Sequence, residues 1–235
     1  MGRSRFNFQQ FSLSHSAAAH PIGTDGILLG AWAQAGVQDV TILDVGCGCG
    51  LIGMMLLQRY SAMQLTGLEL HPPSAREAQG NLAQSPFSAR GQIVEGDFRS
   101  WPAQPQFDMI VSNPPFFEPD QNKVHSPRVK ARQTFTLSAP DIILRASELL
   151  NPNGSVQMIL PAPLGERIKA TARAAGLHLT RCTTVYSLAG KSPERLLLHW
   201  QKDPTGPAQF NKLVLRTPQG TFTEAYRQLT SAFHT

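Results

Sequence analysis

Short apolar runs rich in Val, Ile, Leu and Met recur at 41–45, 65–70, 92–95, 107–112 and 155–160, separated by stretches with helical spacing. Runs that are apolar on both sides belong to strands covered on both faces, as in parallel sheets. Helices are expected at 51–60, at 72–84 where Pro72 and Pro73 open the segment, at 139–150 after Ser138, and from Pro163 to about Ala175, where Gly176 stops the turn. Asn151-Pro152-Asn153-Gly154 reads as a stop and turn. Alternating strands and helices predict a doubly wound α/β fold with a mostly parallel sheet.

The last third reads differently. Segments 177–186 and 195–201 look like strands joined by the turn-prone stretch 189–193, which makes them an antiparallel hairpin. Segment 209–215 is a further extended piece, and 203–207 an exposed loop. At the front, Thr24 and Asp25 read as the cap of a helix over 26–33. Residues 1–40 are therefore taken as an arm and helix packing on a unit formed by 41–235.

The 235 residues are 41% hydrophobic and 16% charged, ordinary for a globular chain able to bury roughly 70% of its unfolded surface. Among the runs, none approaches the roughly 20 apolar residues that cross a bilayer, and the N-terminal stretch lacks the apolar core of a signal peptide. A cytoplasmic, non-membrane protein is expected. Cys47, Cys49 and Cys182 are an odd set without zinc-ligand spacing, so they are read as small packing residues in a reducing compartment, with no metal expected. The net charge of +5 is modest. Basic residues nevertheless crowd at Arg3 and Arg5 and again at Lys123, Arg128, Lys130 and Arg132, which suits a phosphate-bearing partner.

Two motifs carry chemistry. Ile42 to Gly50 reads Ile-Leu-Asp-Val-Gly-Cys-Gly-Cys-Gly, between a strand and a helix. Glycines there let the backbone turn sharply and approach a ligand. The spacing is Gly-x-Gly-x-Gly, whereas the dinucleotide fingerprint wants a glycine where Leu51 stands. Glu69 follows by roughly 20 residues at the end of the next strand, where a carboxylate can accept from both ribose hydroxyls of a nucleoside cofactor.

The second motif is Asn113-Pro114-Pro115-Phe116, directly after the apolar run 107–111. Successive prolines remove backbone donors and fix φ, so Asn113 is held extended and the Pro114 carbonyl in a set direction. Two oxygen acceptors beside a flat ring fit a planar amino group. Accepting both of its N–H bonds turns the nitrogen lone pair out of conjugation, and Phe116 stacks on the ring that carries the amine. The run resembles that of the Asn-Pro-Pro-aromatic enzymes, which act variously on adenine in DNA or RNA, on the guanine exocyclic amine of ribosomal RNA or on the glutamine side-chain amide of release factors, and the motif alone does not choose among them.

With Asp44 ahead of it, the glycine turn resembles the first motif of class I S-adenosylmethionine-dependent methyltransferases. That resemblance implies a Rossmann-like sheet of seven strands closed by the antiparallel hairpin. It implies S-adenosyl-L-methionine held by Asp44, Gly46, Cys47, Gly48, Gly50, Glu69, Asp97 and Phe98, with Asp97 on the adenine amine and Phe98 on its ring. Residues 23–33, the run Phe116-Phe117-Glu118 with His125, Lys130, Ala131 and Arg132 behind it, and the single-domain length resemble the bacterial tRNA(Val) adenine-N(6) methyltransferase family, which methylates the adenosine 3′ of the anticodon. Phe116 stands where many members carry Tyr. The implied partner is a tRNA anticodon loop, contacted through Arg3, Arg5, Lys123, Arg128, Lys130 and Arg132 by a monomer. Other readings are a ribosomal RNA guanine-N(2) methyltransferase, which would want a duplicate domain, a release-factor glutamine methyltransferase, which would want an N-terminal helical domain, and an inert RNA-binding module.

Overall fold

The computed structural model describes residues 4–15, 22–38, 40–104, 107–115, 137–204 and 206–233. Phe116, Arg3, Lys123, His125, Arg128, Lys130 and Arg132 lie outside them.

Among the described residues the chain runs β1 (Ser4–Asn7), β2 (Ser12–His15), α1 (Thr24–Trp32), β3 (Thr41–Val45), α2 (Leu51–Arg59), β4 (Gln64–Glu69), α3 (Pro72–Ala83), β5 (Gly91–Glu95), β6 (Phe107–Ser112), α4 (Ala139–Leu149), β7 (Leu150–Pro161), α5 (Ala162–Ala174), β8 (His178–Leu188), β9 (Arg195–Gln201), β10 (Gln209–Arg216) and α6 (Glu224–Thr230). Strands β3 to β10 form one eight-stranded sheet in the order β10-β8-β9-β7-β6-β3-β4-β5, and β1-β2 a separate antiparallel pair. Only β9 runs against its neighbours. The sheet thus has one strand more than the seven expected, because segment 209–216 adds to the outer edge in parallel with β8.

The apolar runs settle where the pattern puts them. Ile42, Leu43, Met109, Ile110, Val156, Met158 and Ile159 are all at 0% exposure, as strands covered on both faces require. One face is covered by α1, α2, the end of α3, α6 and the N-terminal pair through Phe8, Phe11 and Leu13, the other by α4 and α5. Gly26 and Gly30 explain how closely α1 lies on α2. A β-carbon at Gly26 would sit 2.8 Å from Leu51 Cδ2, and one at Gly30 would sit 2.6 Å from Met55 Sδ.

Two expectations need correction. Thr24 and Asp25 do not cap α1: the N-cap is Gly23, and both residues lie in the first turn, where Asp25 pairs with Arg195 at 2.9 Å. A carboxylate in that turn is favoured by the helix dipole wherever the cap falls. The stop at 151–154 holds, since α4 ends at Leu149, but the turn lies within the span of β7 and not ahead of it. It is carried inside the strand as an irregularity where Leu150 faces Phe107 but Ser155 faces Met109, with Asn153 at φ +62°. Asparagine tolerates that conformation, so the turn signal is real and the strand resumes after it.

Strand order sets the position of the site. From β3 the chain winds outward through β4 and β5, then returns to the other side of β3 as β6 and continues to β7. The carboxyl ends of β3 and β6 therefore flank the reversal point, where ligands bind in open α/β sheets.

Candidate active site

The turn after β3 has Gly46, Gly48 and Gly50 at φ +68°, +57° and +88°. All three are left-handed, the region that disfavours a β-carbon. Added β-carbons at Gly46 and Gly48 would meet nothing within 4 Å, so backbone shape demands glycine there and open space lies in front of the turn. The turn is tied to the end of β4: Gly46 N and Cys47 N donate to the Leu68 carbonyl at 2.8 and 3.1 Å, and Gly48 N donates to Glu69 Oε2 at 2.8 Å.

Glu69 is half-buried, and its other oxygen accepts from His71 N at 2.8 Å. Each carboxylate oxygen has a second acceptor position left, so the group is oriented by the backbone and remains able to take two hydroxyls. Asp44, by contrast, is 1% exposed. Its Oδ2 accepts from Gly53 N in the first turn of α2 at 2.9 Å, while Oδ1 is buried with no partner. Burial pushes its carboxyl up to about 7, with the charge of Glu69 adding to the shift. Asp44 holds the turn from beneath.

Cys47 and Cys49 are buried, and burial raises both thiols, Cys49 to about 11. They are protonated packing groups: Cys47 Sγ lies 3.1 Å from where a β-carbon at Gly67 would sit. What Cys47 offers a ligand is backbone.

On the other side of β3, Asp44 faces Val111 in parallel register. The ladder ends with that pair, and beyond it the Ser112 hydroxyl fastens the two strand ends by donating to the Val45 carbonyl at 2.8 Å, so the chain leaves toward Gly46 and toward Asn113 from neighbouring strand ends. Asn113 is half-buried, Pro114 buried and Pro115 exposed. The Asn113 Oδ1 atom is shielded from solvent and has no hydrogen-bond donor. A buried acceptor left unpaired costs roughly 1–3 kcal/mol, which a ligand N–H would recover.

Asp97 and Phe98 follow β5, one strand beyond β4. The Asp97 carboxylate caps a single 3-10 turn, Phe98–Ser100, by accepting from Arg99 N, and it takes the Arg99 guanidinium as well, with Nη2 to Oδ2 at 2.6 Å. That bond holds the carboxyl below its usual range. Phe98 is 3% exposed and belongs to the core beneath the sheet end, so it backs this corner as part of the wall. Arg5 is exposed on β1, opposite Ser14.

The structure adds a residue the sequence pattern did not single out. Asn81 on α3 is 5% exposed, and its Nδ2 donates to the Cys49 carbonyl at 2.9 Å. Its signal was an amide three residues after Ala78, on the side of the helix that buries Ala75, Ala78 and Leu82. That position calls for an apolar residue, and a polar one there needs a partner. Among the described residues no group of three His, Cys, Asp or Glu could hold a metal ion, and no helix is long and apolar enough to cross a membrane.

A reversal point carrying a left-handed glycine turn, a backbone-oriented carboxylate at the end of the neighbouring strand and an unpaired carboxamide acceptor on the other side is the arrangement expected of a class I methyltransferase. The same fold appears in a predicted O-methyltransferase from Agrobacterium tumefaciens, with a TM-score of 0.69 at 20% identity over 89% of this chain and 96% of that one. A methyltransferase from Pyrococcus furiosus shares it at TM-score 0.58 and 17% identity, covering 83% and 90%. Residues 16–173 match the methyltransferase small domain model. The tRNA1(Val) (adenine(37)-N6)-methyltransferase of Vibrio cholerae serotype O1 (strain M66-2) is 37% identical over 229 residues, 97% of this chain and 94% of the relative. Its namesake from Escherichia coli (strain SE11) is 37% identical over 236 residues, 99% and 95%. The chain belongs to the tRNA1(Val) (adenine(37)-N6)-methyltransferase family, within the methyltransferase small domain class, and S-adenosylmethionine is its cofactor.

The site fits that cofactor. Open space before Gly46 and Gly48 suits a ligand chain packed close to the backbone, the oriented carboxylate at Glu69 suits a pair of hydroxyls, and the orphaned acceptor at Asn113 suits an incoming amine.

Proposed function

We propose that this chain transfers the methyl group of S-adenosylmethionine to the exocyclic N6 of adenosine 37, beside the anticodon of tRNA1(Val). The observation that carries the reading is the buried, unpaired Asn113 Oδ1 on the strand end next to the glycine turn. The full-length relatives named for this activity support it.

Gly46, Cys47, Gly48 and Gly50 offer backbone to the cofactor, Glu69 takes the ribose hydroxyls, and Asp97 turns one oxygen from Arg99 to the adenine amine. Asp44 acts from beneath by holding α2 against the turn, and Phe98 closes the wall behind the adenine. Bound there, S-adenosylmethionine supplies a methyl carbon on a positively charged sulfur that leaves as a neutral thioether. Asn113 Oδ1 and the Pro114 carbonyl accept the two N–H bonds of the target adenine, which directs the nitrogen lone pair at the methyl. The new N–C bond makes the nitrogen cationic, and it then gives up a proton to water. Positioning supplies most of the acceleration. Phe116 stacks on the flipped base, and the exposed loop nucleotide is reached without opening a helix.

Arg5, with Arg3, Lys123, Arg128, Lys130 and Arg132, contacts tRNA phosphates. One copy carries both motifs, so the acting unit is a monomer, working in the cytoplasm where tRNA is processed. The test is incubation with labelled cofactor and, in parallel, tRNA, ribosomal RNA and a release factor. Label confined to tRNA as N6-methyladenosine supports the reading, and label in guanosine or in protein contradicts it. Charge reversal at Lys130 or Arg132 should weaken tRNA binding and flatten its salt dependence by about one phosphate contact.

A further inference from the structure

Asn81 uses every hydrogen-bonding atom of its side chain. Nδ2 donates to the carbonyls of Cys49 and Ser14, and Oδ1 accepts from Ser14 N, all at 2.9 Å. One partner is the glycine turn and the other is β2 of the N-terminal pair, 67 residues away in sequence. Cys49 stands between Gly48 and Gly50, both left-handed. The direction of its peptide therefore decides how the turn faces a ligand. Its carbonyl belongs to a residue that is 5% exposed and lies ahead of α2, where no helical amide takes it.

The same helix grips the site from its other end. α3 begins just after Glu69, whose Oε1 accepts from His71 N, and further along Ala78 Cβ lies 3.7 Å from where a β-carbon at Gly50 would be. One helix thus fixes the ribose carboxylate at its start and the glycine turn at its finish. The Ser14 end of the bridge lies opposite Arg5 in the strand pair.

We propose that Asn81 is a positioning residue for the methyl donor, holding the Cys49 peptide, and with it the glycine turn, in the cofactor-binding orientation against the N-terminal strand pair. This rests on the reading of the turn as the cofactor site. Asn81 touches neither reactant. Its loss should appear in cofactor affinity and leave the methyl-transfer step and tRNA recognition in place.

The test is steady-state methylation of tRNA by the full chain with Asn81→Ala, Asn81→Asp and, separately, Glu69→Ala. Titration with S-adenosylhomocysteine and thermal melts accompany it. Losing the buried amide donors should raise the KM for S-adenosylmethionine about tenfold, with kcat and the KM for tRNA within about twofold and binding of the demethylated product weakened in step. Asn81→Asp keeps the side-chain size and the acceptor for Ser14 N, but sets a carboxylate against two carbonyls. It should be no better than Asn81→Ala, and it carries the test if the smaller variant fails to fold. A role in stability alone would lower the melting temperature and the active fraction while the cofactor KM stayed put, and that result overturns the proposal. In that event Glu69→Ala shows what failed. A raised cofactor KM there keeps the turn as the cofactor site and removes only Asn81, whereas an unchanged one removes the site itself.

Discussion

The Ser112 hydroxyl donates to the Val45 carbonyl at 2.8 Å, one step beyond Asp44 and Val111, the last pair of the ladder between β3 and β6. At the other end of the same two strands, Asp108 Oδ2 accepts from Thr41 N and Oγ1 at 2.9 and 2.8 Å. Side chains therefore clamp β3 and β6 at both ends, over and above the ladder, and the two motifs that leave these strands are held side by side.

Replacing Ser112 by Ala removes the clamp nearest the site and leaves the Val45 carbonyl without its donor. We expect about 1 kcal/mol of lost stability, read as a lowered denaturation midpoint. Turnover should fall more than cofactor affinity does, because the relative placement of the two motifs is what changes. Equal kinetics to wild type would mean the ladder alone holds the register.

Glu69 carries two structural amides as well as its proposed ribose contacts. Glu69→Gln keeps one acceptor oxygen and should raise the cofactor KM moderately. Glu69→Ala frees the Gly48 amide and should raise it by about tenfold or more, with kcat less affected. An unaltered KM in Glu69→Ala would place the ribose elsewhere.

Asp44 gives a pH dependence whose sign follows from burial. Its carboxyl is raised to about 7 in the folded chain from an ordinary 3.8. Between those values the folded state holds a proton that the unfolded state has lost, so stability contributed by this group falls as pH rises from about 4 to 7. A cationic methyl donor favours the ionised form, so its affinity should rise through pH 7. Asp44→Asn should flatten both trends, as read by melting temperature and cofactor titration at pH 5.5 and 8. Slopes identical to wild type would contradict the assignment.

His199 behaves in the opposite sense. Burial, with Arg181 nearby, lowers its pKa to about 4 from 6.5. Below pH 6.5 the unfolded chain takes up a proton that the folded chain refuses, so stability is lost as pH falls from 6.5 toward 4. His199→Gln should reduce the steepness of acid unfolding in that window, and chemical denaturation at pH 5 and 7 measures it.

Much of this site was readable from residue order. The glycine turn, Glu69 and the Asn-Pro-Pro run each sit at the end of an apolar strand, and strand ends in a parallel sheet converge on one edge, so linear spacing carries three-dimensional meaning there. Asp44 was legible as part of the turn, but only packing shows that it faces Gly53 with one oxygen orphaned. Asp97 was legible by resemblance, while its Arg99 fork depends on a 3-10 turn that composition does not reveal. Asn81 escaped because its partners, Ser14 and Cys49, are 67 and 32 residues distant, and a lone amide on an amphipathic helix looks like any solvated position. The N-terminal strand pair is too short, at four residues a strand, for alternation to register. Segment 209–216 was seen as extended, but its place at the sheet edge beside β8 depends on the strand it pairs with, which its own residue order does not name.

The most direct measurement is the separation of binding from transfer at Asn113. Asn113→Ala should bind S-adenosylmethionine within about twofold of wild type by titration, while single-turnover methylation of tRNA falls by about 100- to 1000-fold, as when one preset group is removed from a reacting centre. If cofactor affinity and transfer rate fall together, or if transfer survives the substitution, the carboxamide beside the glycine turn does not steer the amine.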